Sequence, residues 1–143
     1  MAYSIFIIDD NDSTRQEVSL LTKMSTEYIF AGGAGNGEDA IQILIKNIPD
    51  IVLLDWSMPG MNGLEVLQKI VRDFPHIKVI MLSMHTEEVY SQVALNSGAA
   101  GYLAKQDLAL FFEQALNKVI LNEIYISPSV NDFIVTHQKD YKN

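Results

Sequence analysis

The chain has 143 residues and no cysteine, and 48% of its residues are apolar and 20% charged. These values indicate one globular domain and exclude a disordered protein, a collagen-like fibre and a disulfide-stabilised miniprotein. Eighteen acidic and ten basic residues give a formal charge of −8, which disfavours direct binding to nucleic acid or to an anionic membrane. No apolar segment has the roughly 20 residues of a membrane helix, and the N-terminus lacks a signal-peptide pattern. We therefore expect a cytoplasmic protein.

Five short apolar segments recur along the chain and are rich in Ile, Val, Leu or aromatic residues. Continuous apolar runs of this length are typical of strands that are buried on both faces of a parallel sheet. The predicted strands are residues 5–8, 28–31, 51–54, 79–82 and 99–103.

Amphipathic helical patterns separate and follow these segments. Residues Asn11, Asp12 and Ser13 supply N-cap chemistry for the first helix. The predicted helices run from there to about Met24, from Asn36–Gly37 onward, from near Asn62, from Thr86 to Gly98, and from Asp107 over three turns. The glycines at 32, 33, 35 and 37 are interpreted as a loop after the second strand.

The alternation of strands and helices predicts a single α/β domain. Short connections imply right-handed crossovers, one doubly wound (βα)5 parallel sheet of five strands, and helices on both faces. We assign residues 1–122 to this domain. The pattern weakens from Asn122 onward, where 125–128 reads as a short extended piece. Residues 123–143 are interpreted as a C-terminal tail or the start of a linker to an absent output domain.

Polar residues follow four of the predicted strands directly. Asp9 and Asp10 follow the first strand, Asp55 the third, Ser83 the fourth, and Lys105 closely follows the fifth. Ligands of open parallel sheets bind outside the carboxyl ends of the strands. Taken singly, these residues are also typical of helix caps, turns and solvated loops. Their joint position predicts a functional site.

This set of side chains suits phosphoryl transfer. Three neighbouring carboxylates repel one another and need a cation, and oxygen ligands of this kind suit Mg²⁺. The Asp55 carboxylate would attack phosphorus and form an acyl phosphate. Lys105 would pair with one phosphoryl oxygen and Ser83 would donate a hydrogen bond to another.

The same segments resemble the receiver domain of bacterial two-component response regulators. The resemblance covers roughly residues 4–121. It rests on residues 5–10 (IFIIDD), 50–63 (DIVLLDWSMPGMNG), 79–83 (VIMLS) and 98–105 (GAAGYLAK), of which the segment around Asp55 is highly specific. The resemblance implies a flavodoxin-like fold with strand order 2-1-3-4-5.

The resemblance also implies a role for each residue of the site. Asp55 would accept a phosphoryl group from a sensor histidine kinase or a phosphotransfer protein. Ser83 and Lys105 would contact the phosphoryl oxygens, and Ser83 and Tyr102 would form the switch. The domain would catalyse only its own phosphotransfer and slow self-dephosphorylation. The ligands of Mg²⁺ would be Asp9, Asp10, Asp55 and the backbone carbonyl of Ser57.

Finer features resemble the branch in which a receiver precedes a LuxR-type helix-turn-helix domain. These are residues 83–85, 98–103 and 125–128. In that branch the output is transcription control, and the DNA-binding module would lie outside these 143 residues. A homodimer through an exposed helical face is compatible with the sequence. Two positions depart from the common pattern: Gln106 replaces the proline that often follows the site lysine, and Met84 replaces a small residue.

Three other functional classes fit the sequence less well. An aspartyl-phosphate hydrolase typically has a second Asp two residues after its nucleophile, where this chain has Ser57, and it has a cap insertion that this chain lacks. A nucleotide- or flavin-binding module would need a glycine-rich phosphate motif, and neither common form is present. A receiver that works by contact alone would not need the full set of acidic, hydroxyl and lysine side chains.

Overall fold

The structure is a computed structural model that describes residues 2–130, in which strands and helices alternate. The strands are β1 (Tyr3–Ile8), β2 (Tyr28–Ala34), β3 (Ile51–Asp55), β4 (Lys78–Ser83), β5 (Gly101–Ala104) and β6 (Tyr125–Ile126). The helices are α1 (Asp12–Lys23), α2 (Gly37–Lys46), α3 (Gly63–Asp73), α4 (Glu88–Asn96) and α5 (Leu108–Ile120). A single 3-10 turn, Lys105–Asp107, joins β5 to α5. Within residues 2–130, no helix is long and apolar enough to cross a membrane.

All six strands are parallel and lie in the order β2-β1-β3-β4-β5-β6. Alternate side chains of each strand point to opposite faces. Ile5 and Ile7 belong to the core that includes residues of α1 and α5, whereas Phe6 and Ile8 belong to the core with residues of α2, α3 and α4. Burial on both faces explains why the central strands read as continuous apolar runs.

The predicted parallel sheet with helices on both faces is confirmed, but the predicted number of five strands is wrong. The sixth strand pairs with β5, in the register Gly101 to Tyr125 and Tyr102 to Ile126. A two-residue strand has no periodicity of its own, and it forms here because β5 would otherwise leave an unpaired edge. The segment 123–143 therefore begins as part of the sheet. Its polar end, residues 131–143, lies outside the described residues.

The edge strand β2 is longer than predicted. It includes Gly32 and Gly33, the first two of the four glycines that the sequence assigns to a loop, and ends at Ala34. A Cβ atom at Gly33 would lie 2.8 Å from both a side-chain carbon and the carbonyl oxygen of Ile7. Glycine at this position thus allows β2 to approach β1 closely, a signal that belongs to strand packing rather than to a turn.

Two boundaries after β4 also differ from the prediction, each by two residues. Helix α4 begins at Glu88 rather than Thr86, and β5 begins at Gly101 rather than residue 99. Gly98 has φ +102°, the left-handed conformation that ends a helix, and it follows α4 as predicted. The Ala100 N–H then donates to the Val79 carbonyl at 2.8 Å, which aligns β5 with β4.

Candidate functional site

The acidic residues meet where the strand order reverses. Asp9 follows β1 directly and Asp55 is the last residue of β3, and these strands are neighbours in the sheet. This is the position at which open α/β sheets bind ligands. One carboxylate oxygen from each of Asp9, Asp10 and Asp55 lies within 4.8 Å of the others. The structure therefore brings the three predicted carboxylates together.

Asp9 is fully buried and is held by two backbone hydrogen bonds and one side-chain hydrogen bond. Its N–H donates to the Ala34 carbonyl at 3.0 Å, and its carbonyl accepts from Arg15 Nη1 at 2.6 Å. Its Oδ1 accepts the Asn11 N–H at 2.8 Å, and Asn11 in turn caps α1 through the Ser13 N–H. The contact of Arg15 has no local sequence signal, because it depends on how α1 packs over β1.

Lys105 lies between the two buried carboxylates. Its Nζ is 3.0 Å from Asp9 Oδ2 and 3.3 Å from Asp55 Oδ1. Burial alone would lower the pKa of Lys105, but the hydrogen bond to Asp9 and the charge of Asp55 outweigh it, so the pKa is raised and the ammonium stays charged. The predicted proximity of this lysine to the acidic residues is thus observed.

Asp55 carries an unfavourable charge in this environment. Burial and the nearby Asp9 carboxylate raise the pKa of Asp55 from 3.8 to about 6, although Lys105 opposes the shift. Three carboxylates and one ammonium leave two formal negative charges within the cluster. Oxygen ligands with this excess charge fit a divalent hard cation. The residues present therefore fit Mg²⁺.

The raised pKa of Asp55 predicts a pH dependence of stability in metal-free buffer. The folded state favours the protonated carboxyl, so its stabilising contribution is complete below about pH 4 and is lost as pH rises through about 6. We expect the free energy of unfolding of the wild type to fall across this window by about 2–3 kcal/mol relative to Asp55→Asn. Urea unfolding with a chelator present measures it. Parallel pH profiles for the two proteins would contradict the prediction, and Mg²⁺ should reduce the difference.

The loop after Asp55 is folded tightly against the sheet. The Trp56 N–H donates to the Leu82 carbonyl at 3.0 Å, and the Gly63 N–H donates to the Trp56 carbonyl at 2.9 Å. The Ser57 N–H lies 3.4 Å from Asp55 Oδ1, and the Ser57 side chain is exposed. Ser57 is therefore adjacent to the acidic cluster, and its role as a carbonyl ligand stays a prediction.

Ser83 and Tyr102 are linked through one loop residue. Ser83 ends β4 and its Oγ accepts the His85 N–H at 3.0 Å, while the Tyr102 hydroxyl donates to the His85 carbonyl at 2.7 Å. Tyr102 is fully buried, and burial raises its pKa to about 12, so the hydroxyl remains a donor. The loop after β4 is thus tied both to the hydroxyl beside the site and to β5.

An aromatic cluster beside the site was not predicted. His85 stacks on Tyr90 with a centroid distance of 4.0 Å, Tyr90 meets Trp56 edge-on at 5.5 Å, and Trp56 meets Tyr102 edge-on at 6.4 Å. Trp56 and His85 lie in loops, Tyr102 lies in β5 and Tyr90 lies in α4. Since none is at helical spacing from another, the sequence pattern offered no signal for the cluster.

Comparison with known proteins identifies the family. The family model of the response regulator receiver domain matches residues 5–115, which include all the polar residues of the site. The chain belongs to this family. The resemblance to two-component receivers is confirmed, and the domain is a signalling module rather than a metabolic enzyme.

The receiver is similar to a transcriptional regulatory protein and to other response regulators. It is 33% identical over 138 residues to the transcriptional regulatory protein DegU of Brevibacillus brevis, covering 96% of this chain and 57% of that one. It is 33% identical over 127 residues to the response regulator UvrY of Escherichia coli K12, covering 89% and 58%. The receiver thus spans less than two thirds of the length of these relatives.

Solved structures share the fold. A DNA-binding response regulator of the LuxR family from Staphylococcus aureus superimposes with a TM-score of 0.75 at 31% identity, covering 82% of this chain and 98% of that chain. A LuxR-family two-component response regulator from Aurantimonas has a TM-score of 0.87 at 24% identity, covering 96% and 99%. The receiver is therefore similar to LuxR-type response regulators in both sequence and fold.

Proposed function

We propose that Asp55 is the phosphoacceptor of this receiver domain. The observation that carries the proposal is the placement of the Asp55 carboxylate beside buried Asp9, with the Lys105 ammonium 3.3 Å away. A cationic donor at that distance can neutralise charge on a phosphoryl group, which is the main requirement of phosphoryl transfer. Ser83 ends the neighbouring strand and would donate to a second phosphoryl oxygen.

The transfer is a substitution at phosphorus. One oxygen of Asp55 bonds to the phosphorus of a phosphohistidine, the P–N bond breaks, and its electron pair returns to the imidazole, which takes up a proton. The product is an acyl phosphate on Asp55. Water attack on the same phosphorus would return the carboxylate and inorganic phosphate, so slow self-dephosphorylation belongs to the proposal.

We propose Mg²⁺ as the cofactor, held by Asp9, Asp10 and Asp55 and by the carbonyl of Ser57. The close approach of the three carboxylates and their excess negative charge support this. When bound, the ion would neutralise charge on the incoming phosphoryl group. Exposed Asp10 is accessible to ligands from solvent, whereas buried Asp9 is held in place by the Asn11 N–H.

Labelling with acetyl phosphate tests the proposal. Intact mass spectrometry of the full chain should show one phosphoryl addition that requires Mg²⁺ and is lost in base. Peptide mapping after borohydride reduction should place it at Asp55. The absence of any addition, under conditions that label a receiver of known activity, would refute phosphoacceptor function. An addition at a different residue would refute the assignment to Asp55.

Lys105→Met is expected to slow labelling by roughly tenfold, as loss of a charge-assisted hydrogen bond in the transition state implies. The same change leaves the buried Asp9 and Asp55 carboxylates without their cation, so metal-free stability should fall by about 2–3 kcal/mol. Labelling reactions quenched at successive times measure the rate, and urea unfolding measures the stability. The control is Lys46→Met at the exposed end of α2, which should change neither quantity. Normal labelling of Lys105→Met would exclude this role.

We also propose a phosphoryl donor, a cellular location and an output for the domain. A sensor histidine kinase or a phosphotransfer protein would supply the phosphoryl group in the cytoplasm, as the family implies. The similarity to the transcriptional regulatory protein DegU and to a DNA-binding response regulator of the LuxR family, and the span of less than 60% of DegU and UvrY, support a transcriptional output through a DNA-binding domain outside residues 1–143. In this proposal the receiver extends beyond the predicted boundary at residue 122 to include β6, and the segment after β6 leads to that domain. Exposed Leu20, Met24 and Leu110 support a homodimer, which light scattering before and after labelling would detect.

A further inference from the structure

The segment 125–130, here called the C-terminal strap, is bound along the edge of β5. Its strand β6 pairs with β5, and the Ser127 N–H continues the ladder by donating to the Tyr102 carbonyl at 2.9 Å. Val130 is fully buried and belongs to the same apolar cluster as Tyr102 and Trp56. The strap therefore contacts the strand that carries the switch tyrosine.

Asp107 ties this strap to the turn that follows Lys105. Its Oδ2 accepts hydrogen bonds from the Ser127 hydroxyl and, at 3.1 Å, from the Ser129 N–H. Its Oδ1 accepts from the Ser129 hydroxyl at 2.8 Å. Gln106 adds a further bond, from its Nε2 to Ser129 Oγ at 2.8 Å. Two consecutive residues of one turn thus bind the strap.

The orientation of Asp107 is unusual for its position. It lies directly before α5, but its backbone is helical (φ −96°, ψ −3°) and continues the 3-10 turn into the helix, so it lacks the extended backbone of a helix-capping residue. Its side chain makes no cap hydrogen bond. Instead the buried carboxylate is used entirely by the strap. The carboxylate therefore joins two segments that are 20 and 22 residues apart in sequence.

The turn that Asp107 anchors also sets the position of Lys105. Residues Lys105–Asp107 form one turn of 3-10 helix, closed by the Leu108 N–H, which donates to the Lys105 carbonyl. A movement of Asp107 would therefore move the Lys105 backbone with it. The Lys105 ammonium must stay within about 3 Å of two carboxylates to form its hydrogen bonds, so its reach depends on that backbone position.

We propose that Asp107 is a positioning residue for Lys105 and that it couples the C-terminal strap to the phosphoacceptor site. The inference rests on the proposed function of Asp55 and Lys105. Coupling of this kind is reciprocal: a loosened strap alters phosphorylation, and phosphorylation alters the strap. Because the chain continues from the strap into residues 131–143, the state of the acceptor would be transmitted to whatever follows the domain.

Variants of the full chain separate positioning from simple stabilisation. Asp107→Asn should slow labelling by acetyl phosphate by about fivefold or more. The matched control is Asp50→Asn, since Asp50 also accepts two hydrogen bonds, from the Ser4 N–H at 2.8 Å and the Ser4 hydroxyl at 3.3 Å, at the other end of β3. It should label at the wild-type rate. Equal labelling of the Asp107 and Asp50 variants would overturn the proposal. If Asp107→Asn does not fold, Ser129→Ala replaces it, with the same expectation and the same refuting result.

A double variant tests whether Asp107 acts through Lys105. In a Lys105→Met background, Asp107→Asn should change the labelling rate by less than about twofold, because the side chain that it positions is already gone. An undiminished effect in that background would show that Asp107 acts by another route and would overturn the proposal.

Hydrogen exchange measures the coupling in the wild type and in Asp107→Asn. Addition of Mg²⁺ and beryllofluoride, a phosphoryl analogue, should change the exchange rates of the Ser127 and Ser129 amides, and this change should be lost in Asp107→Asn. Unchanged rates, in a protein that acetyl phosphate labels at Asp55, would overturn the coupling and leave the acceptor assignment intact. A wild type that is not labelled at all would instead refute the proposed function, and the coupling with it.

Discussion

Asp55→Asn is expected to lose phosphoryl labelling completely while keeping the fold. The amide oxygen has no negative charge and is a poor nucleophile, so the acyl phosphate cannot form. The substitution preserves side-chain size at a site that is 3% exposed, and it removes a carboxylate whose pKa is raised by burial and by Asp9. Intact mass after incubation with acetyl phosphate and Mg²⁺ measures labelling, and circular dichroism verifies the fold.

The matched control for this change is Asp50→Asn, at the other end of the same strand. Asp50 directly precedes β3 and Asp55 ends it, so both variants remove one carboxylate from one strand. Asp50→Asn should label fully. A base-labile addition that persists in Asp55→Asn, with Mg²⁺ and at the wild-type rate, would show that another residue is the acceptor.

Gly63→Ala is expected to have the largest effect on stability, about 3 kcal/mol or more of destabilisation. A Cβ atom at this first residue of α3 would overlap the Asp55 carbonyl oxygen and lie 2.8 Å from Trp56 Cα and 2.9 Å from the Trp56 carbonyl oxygen. These are backbone atoms of Asp55 and of the loop that follows it, and they cannot move aside without displacing Asp55. Urea unfolding measures the loss, and labelling should fall because the Asp55 carboxylate is misplaced.

Gly35→Ala provides the comparison. A Cβ atom there would meet mainly the end of the flexible Arg15 side chain, at 3.3 Å from Nη1. We expect a stability change below about 1 kcal/mol, because that side chain can shift. Equal stability of Gly63→Ala and Gly35→Ala would show that the loop after Asp55 tolerates displacement. Its tight packing against α3 would then not be required for stability.

The positions of the acidic residues were predictable because they depend on topology alone. Continuous apolar runs indicated strands buried on both faces, and parallel strands place their carboxyl ends at one edge. Asp9, Asp55 and Lys105 therefore could be assigned to one site before any contact was known. The N-cap at Asn11 was predictable for a similar reason, because an N-cap depends on residues only two or three positions away.

Features that depend on long-range contacts were not predictable. The sixth strand exists because β5 offers an open edge, and nothing in the two residues Tyr125 and Ile126 specifies a strand by itself. The extension of β2 through Gly33 depends on the close approach of β1. The aromatic cluster around Trp56 forms from segments that are distant in sequence.

Asp107 shows most directly the difference between features that local patterns predict and features that depend on long-range contacts. Local sequence patterns were sufficient to predict that a helix follows Asp107 and that Lys105 lies at the functional edge, because helical periodicity and strand order are encoded in them. The direction of the Asp107 carboxylate depends instead on long-range contacts. Two serines twenty or more residues further along the chain donate hydrogen bonds to it. They can do so because β6 brings them beside it, and the pairing of β5 with β6 is a contact that no local pattern contains.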